Sequence, residues 1–239
     1  MTKISKIKAQ LISNQPITEQ MHQLVFQTEA NEKWEFTEGQ FVMVQHEVDH
    51  ELVVRAYSIS SLASDLPRLE LVVKRVEGGV MSNYLCDLRR GDQVDMDGPY
   101  GHFVWNLGQN NNKVLVAIGC GIAPLKSILL KQLQMGGGNV ELYLGSRLIK
   151  EVPFLKYFSD LQAKNRNFKF YPCVSRETGV CQYSGRVTKV MLEQNIDFAE
   201  TDFYICGTAN MIADLKQSVA LHGGNLKNVF NENIYPYAN

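Results

Sequence analysis

Hydrophobic residues recur at every second position along the first half of this chain and gather into continuous runs along the second, with the change near residue 110. In the first half, Leu24/Phe26/Thr28, Phe41/Met43, Leu69/Leu71/Val73 and Val94/Met96 form short alternating stretches separated by Gly, Pro, Asn or Asp. A period of two belongs to a strand with one buried face, so these stretches predict an antiparallel sheet curled into a small barrel. Gly78-Gly79-Val80-Met81-Ser82-Asn83-Tyr84-Leu85 interrupts the pattern. Its glycines make a flexible turn, and a short helix is expected to follow with Ser82 as N-cap.

Asn106 to Asn112 has the composition of a linker, which sets the expected domains at residues 1–108 and 109–239. Beyond it, Lys113-Val114-Leu115-Val116-Ala117-Ile118 is an apolar run suited to a strand buried on both faces, and Leu125/Ile128/Leu129/Leu133 follow at helical spacing. The unit repeats: Val140 to Leu144 before Phe154/Phe158/Leu161, Phe168 to Val174 before Val187/Val190/Met191, and Phe203 to Cys206 before Met211/Ile212/Leu215/Val219. Such alternation predicts a parallel sheet covered by helices, with ligands beyond the carboxyl ends of its strands.

Composition narrows the function classes. The 239 residues are 45% apolar and 21% charged, ordinary for a folded protein and unlike a disordered, collagenous or coiled-coil chain. With 24 basic against 25 acidic residues the net charge is −1, so no global field exists to hold nucleic acid or an anionic membrane. The longest apolar run, Val114 to Leu125, is shorter than the roughly 18 residues of a spanning helix, and Met1 to Lys8 alternates instead of forming a signal block. A cytoplasmic protein without membrane insertion is expected. The five cysteines include no C-x-x-C or iron–sulfur spacing, and the histidines are scattered, so no metal is expected.

Gly119-Cys120-Gly121-Ile122-Ala123-Pro124 lies between the first buried strand and its helix, where glycines admit a pyrophosphate and the helix N-terminus attracts its charge. An ordinary tight turn would show the same glycines. After Leu144, Gly145-Ser146-Arg147 offers no acid for a ribose. In the first half, Arg55-Ala56-Tyr57-Ser58 puts an arginine that could pair with a phosphate on the same strand face as an aromatic that could lie against a ring. A surface tyrosine beside a cross-strand arginine would read the same way.

Taken in order, these segments resemble the ferredoxin–NADP(+) reductase superfamily over nearly the whole chain. That resemblance implies a six-stranded antiparallel FAD-binding β-barrel followed by a parallel-sheet α/β domain that binds NAD(P). It makes Arg55 a holder of the FAD pyrophosphate, Tyr57 a flavin stacker and Ser58 a partner near flavin N5. Gly78, Gly79, Met81 and Ser82 match the second flavin motif, and Val73 on the preceding strand counts among the FAD contacts. Gly98-Pro99-Tyr100-Gly101-His102-Phe103 is similar to a structural strand end beside the flavin. Gly119, Gly121, Ile122, Ala123 and Pro124 match the turn that takes the coenzyme pyrophosphate. Cys206, Gly207 and Met211 match a motif close to the nicotinamide, and Glu232 resembles the C-terminal acid. At the C-terminal end, Ile234 falls at the position where plant-type members stack a tyrosine, with Tyr235 one beyond it.

Ser175 and Arg176, with Ser146, Arg147 and Arg186 nearby, resemble a site for the 2′-phosphate of NADPH, with NADH as the alternative coenzyme. Ser58, Cys206 and Glu232 are then expected to act on hydride transfer. Lacking an iron–sulfur spacing, such a chain would pass electrons to a separate acceptor, with ferredoxin or flavodoxin the first choice. The alternatives are a reductase releasing free reduced flavin and an electron-transfer subunit of a larger complex.

Overall fold

In the computed structural model, residues 4–29, 34–106, 108–177, 179 and 183–234 are described. Strands β1 (Ser5–Pro16), β2 (Met21–Thr28), β3 (Phe41–Val48), β4 (Glu51–Ser58), β5 (Arg68–Lys74) and β6 (Gln93–Tyr100) form one antiparallel sheet in the order β4-β3-β6-β1-β2-β5. The alternation read from sequence supplies its interior: Ile7, Ala9, Leu11, Leu24, Phe26, Leu69, Leu71, Val94 and Met96 share one buried core. The two edges meet where Ile59 bridges Leu71 and the Ser60 N–H donates to the Glu70 carbonyl at 2.8 Å. Helix α1 (Val80–Asp87) packs against β4 and β5, and its Tyr84 ring stacks on His46 of β3 at 3.5 Å between centroids.

Two expectations change here. On β3 the buried residues are Val42 and Val44, and Phe41 instead lies against the Tyr100 ring. Both faces of that strand are apolar in sequence, so period alone did not choose between them. The N-cap of α1 is Gly79, not Ser82, whose hydroxyl accepts from the Val76 N–H and donates to the Gly79 carbonyl. Ser82 therefore ties the 76–79 turn to the helix from inside.

The second sheet is parallel, in the order β11-β10-β7-β8-β9, built from β7 (Asn112–Ile118), β8 (Val140–Ser146), β9 (Phe168–Val174), β10 (Thr201–Gly207) and β11 (Val229–Asn233). Helices α2 (Ile122–Met135) and α3 (Leu155–Lys164) cover one face, while α4 (Val187–Leu192) and α5 (Ala209–Leu221) cover the other. Alternate residues of each strand feed the two cores: Leu115, Ala117 and Leu142 face α2, while Val114, Val116 and Tyr143 face α4 and α5. Met21, Val72 and Phe103 of the barrel enter the α2-side core, so the two sheets share apolar packing.

The segment joining them is pinned. Lys113 and Asp202, 5% and 0% exposed, pair at 3.0 Å, and the Asn110 N–H donates to the same carboxylate oxygen. A Cβ on Gly108 would fall 1.8 Å from that oxygen, which explains a glycine there. Among the described residues no helix is long and apolar enough to cross a membrane, and no group of three or more His, Cys, Asp and Glu side chains could hold a metal ion.

Candidate functional site

On the barrel side, the 76–79 turn leads into α1, which packs against β4. Gly78 has φ +69°, a conformation that favours glycine, and it delivers the chain into α1. No side chain caps that helix, and its first turn contains no acid, so its leading N–H groups remain available to an anion. Arg55 is exposed, and its guanidinium donates only to the neighbouring Val54 carbonyl at 2.8 Å, with no carboxylate in ion-pair range among the described residues. Free helix amides plus an arginine without an anion suit a pyrophosphate, so these residues fit an FAD. Val73 is fully buried in the barrel core, which leaves only its backbone for a ligand.

Tyr57, half-buried, packs against the barrel core. Burial pushes its phenol well above the ordinary value, with the nearby Cys86 thiol of α1 adding, Arg55 opposing and Cys120 of the β7–α2 turn adding again. Ser58, half-buried, closes β4 opposite Phe41.

Across the junction, the Gly119–Gly121 turn has two separate reasons for its glycines. Gly119 adopts φ +52°, and a Cβ on Gly121 would lie 2.3 Å from the Cys206 carbonyl oxygen. The turn therefore presses directly on β10, and α2 starts with Ile122, Ala123 and Pro124 buried in its first turn. Register places Cys206 between Ala117 and Glu232. Burial raises the Glu232 carboxyl to about 7, and burial first, then Glu232 and Cys120, push the Cys206 thiol up. Cys120, absent from the residues expected from sequence, is thus near both Tyr57 and Cys206.

A cavity of about 560 Å³ opens along the carboxyl ends of β7, β8 and β9. Ile118, Gly119, Thr208 and Met211 line it near the turn, and Ser146, Arg147, Ser175 and Arg186 line it further out. The barrel contributes Thr18 to Met21 and Lys74, which no motif suggested, because only the packing of the two sheets brings them there. Arg147 and Arg186 are exposed and lack an ion-pair carboxylate among the described residues. Of the acids present, Glu151 caps its own turn by accepting from the Arg147 and Leu148 N–H groups, and Glu19 lies 3.8 Å from Lys150. Arg176 is exposed and outside the lining, its N–H donating to the Arg147 carbonyl. Gly207 precedes Thr208, whose hydroxyl caps α5 by accepting from the Met211 N–H. Tyr235 lies outside the described residues.

The profile of the oxidoreductase FAD-binding domain matches residues 8–105, and that of the oxidoreductase NAD-binding domain matches residues 115–217. The NADH-cytochrome b5 reductase 1 of Cryptococcus neoformans is 31% identical over 77% of this chain and 67% of its own. The chain belongs to the ferredoxin–NADP(+) reductase superfamily. It carries an FAD-binding and an NAD(P)-binding domain in that order. The ferredoxin–NADP reductase B of Sorangium cellulosum is 28% identical over 91% of this chain and 92% of its own. The phenol hydroxylase P5 protein of Acinetobacter pittii is 30% identical over 74% of this chain but only 52% of its own. The chain spans about half of that relative and 62% of a propane 2-monooxygenase reductase component from Gordonia. Among solved structures, the Neisseria gonorrhoeae ferredoxin NADP+ reductase with bound FAD and NADP superposes with TM-score 0.81 at 22% identity, covering 98% of this chain and 99% of its own. The Amycolatopsis cytochrome P450 reductase GcoB gives 0.88 at 24% identity, covering 98% and 71%. Both likenesses concern the fold.

Proposed function

We propose that this chain is an FAD-dependent reductase that takes a hydride from NADPH and passes electrons to a separate redox protein, a ferredoxin or flavodoxin first. The observation that carries the reading is the cavity shared by both sheets, which has the exposed guanidinium groups of Arg147 and Arg186 at one end and the Gly119–Gly121 turn at the other, beside Cys206. Bound FAD supplies the chemistry, accepting an electron pair with the hydride and releasing electrons singly.

The chain's own residues bind and orient. Arg55 and the leading amides of α1 hold the FAD pyrophosphate, and Tyr57 fixes the plane of the ring. The Gly119–Pro124 turn takes the coenzyme pyrophosphate at the N-terminus of α2. Arg147 and Arg186, with Ser175, hold the 2′-phosphate, since planar guanidinium groups bind phosphate bidentately. Arg176, at the rim, is secondary. Ser58 and Cys206 limit how the reacting rings approach, and Glu232 holds a proton on its carboxyl oxygen near neutral pH. The relatives named as phenol hydroxylase and propane monooxygenase components favour a second reading, in which the acceptor is an oxygenase partner.

The test is anaerobic single-turnover reduction of the FAD-loaded chain by NADPH and by NADH, followed by addition of ferredoxin, flavodoxin or free FMN. NADPH should be preferred, and Arg147→Ala or Arg186→Ala should raise the NADPH KM about 10- to 100-fold, the worth of one charge-assisted contact, while sparing NADH. Equal efficiency with both coenzymes would sink the NADPH assignment, and transfer to free FMN alone would make the chain a flavin reductase.

A further inference from the structure

Lys126 of α2 and Glu70 of β5 form an ion pair across the junction of the two sheets, with side chains 5% and 13% exposed and Nζ 2.5 Å from Oε1. The lysine is enclosed by the rings of Phe154 and Tyr157, at 5.3 and 5.6 Å from their centroids, and its Nζ donates to the Ser60 carbonyl at 3.4 Å. The barrel holds the carboxylate from its own side. The Ser60 hydroxyl donates to Oε1 and the Gln23 amide to Oε2, both at 2.7 Å, and the Glu70 N–H donates to the Ser61 hydroxyl at 3.1 Å. Neither Lys126 nor Glu70 lines the coenzyme cavity.

Stability alone does not account for such a pair, because apolar side chains in place of a buried ion pair are often neutral or stabilising. What the pair adds is a fixed direction. Ser60 follows Ser58-Ile59 at the end of the strand that carries Arg55 and Tyr57, and Lys126 sits on the helix that begins at the Gly119–Gly121 turn. A largely buried polar bridge therefore joins the helix that follows the coenzyme turn to Ser60, two residues beyond the flavin strand. Resting on the reductase reading above, we propose that Lys126 is a positioning residue, which acts through Glu70 and Ser60 to set how closely the coenzyme turn approaches the Arg55–Ser58 strand. Misplacement of reacting groups by about 1 Å costs on the order of 100-fold in rate, so the pair governs rate and leaves affinity alone.

The experiment compares FAD-loaded wild type with Lys126→Met, with the double variant Lys126→Met/Glu70→Gln, and with Glu70→Asp. The single change strands a buried carboxylate and lowers the melting midpoint. The double change removes both charges and leaves an oxygen to accept from Ser60, so its midpoint returns to that of wild type. Positioning predicts that the double variant still binds FAD and NADP+ normally, yet exchanges its amides faster at 58–61 and 119–127 and reduces its flavin about 10- to 100-fold more slowly. Glu70→Asp, which keeps both charges but withdraws the carboxylate by one methylene, should lose rate severalfold at an unchanged midpoint. Recovery of rate together with midpoint in the double variant overturns the proposal, as does a loss of rate explained by weaker FAD or NADP+ binding. If wild type is reduced by neither coenzyme, the reductase reading falls and amide exchange at 58–61 and 119–127 alone decides the positioning role.

Discussion

Replacing Glu232 by glutamine should flatten the dependence of stability on pH between 5.5 and 8. Burial raises this carboxyl from 4.5 to about 7 in the folded chain, and the unfolded chain returns it to water. Between those values the folded state binds more protons than the unfolded state, so the contribution of the group is full below pH 4.5 and is lost as pH rises through about 7. At about 1.4 kcal/mol per pKa unit the whole loss is at most about 3.5 kcal/mol, and the portion between pH 5.5 and 8 is about 2 kcal/mol. The measurement is urea unfolding of wild type and Glu232→Gln at both pH values, with FAD at the same saturating concentration so that ligand linkage cancels. Wild type should lose about 2 kcal/mol more than the variant on going to pH 8. Delivery of electrons to the acceptor should slow above pH 7 in wild type and stay level in the variant. Parallel pH slopes for the two proteins would refute the reasoning, since they would mean that the carboxyl is solvated as in the unfolded chain.

Gly121→Ala should drive the β7–α2 turn away from the Cys206 carbonyl, costing about 1–3 kcal/mol as overpacking does, and should slow flavin reduction while raising the coenzyme KM. A wild-type melting midpoint and KM would show that β10 yields to the new methyl. Asp202→Ala should leave Lys113 buried without its partner and free the linker at Asn110, a loss of about 3–5 kcal/mol for a broken buried pair. Urea unfolding reads it directly, and a loss under about 1 kcal/mol would mean that water reaches Lys113.

Much of the fold was legible because burial follows period. Leu69, Leu71 and Val73 alternate and are all buried, and the runs from Val114 to Ala117 and from Phe203 to Cys206 are buried on both faces, as a parallel sheet requires. The misreadings share one cause, which is that local pattern had two solutions. Phe41-Val42-Met43-Val44 is apolar throughout, and Ser82, a residue type that favours the N-cap, lies inside the first turn of a helix that starts from Gly79. The outer part of the site was partly legible, since Arg147, Ser175 and Arg186 line the cavity. Thr18 to Met21 and Lys74 were not, because they arrive from the barrel only when the sheets pack together. Lys126 was hidden for a stronger reason. A lysine on an amphipathic helix ordinarily reads as solvated, and its counter-charge is 56 positions away.

Topology explains why so many of these residues meet at one junction. In the parallel sheet the chain runs outward in one direction from β7 through β8 to β9 and in the other through β10 to β11, so a crevice opens beyond β7 and β10 where the order reverses. Helix α2 leaves that crevice, and the same helix faces the barrel, with Lys126 and Ser127 meeting Glu70 and the Gly39 N–H. In the proposed reading, one element serves as anion site at its first turn, and its flank docks on the barrel. A change on the flank can then reach the turn without touching it. The coupling is geometric, and it requires only that α2 move as a rigid rod, which nine buried residues among its 14 make the expected behaviour.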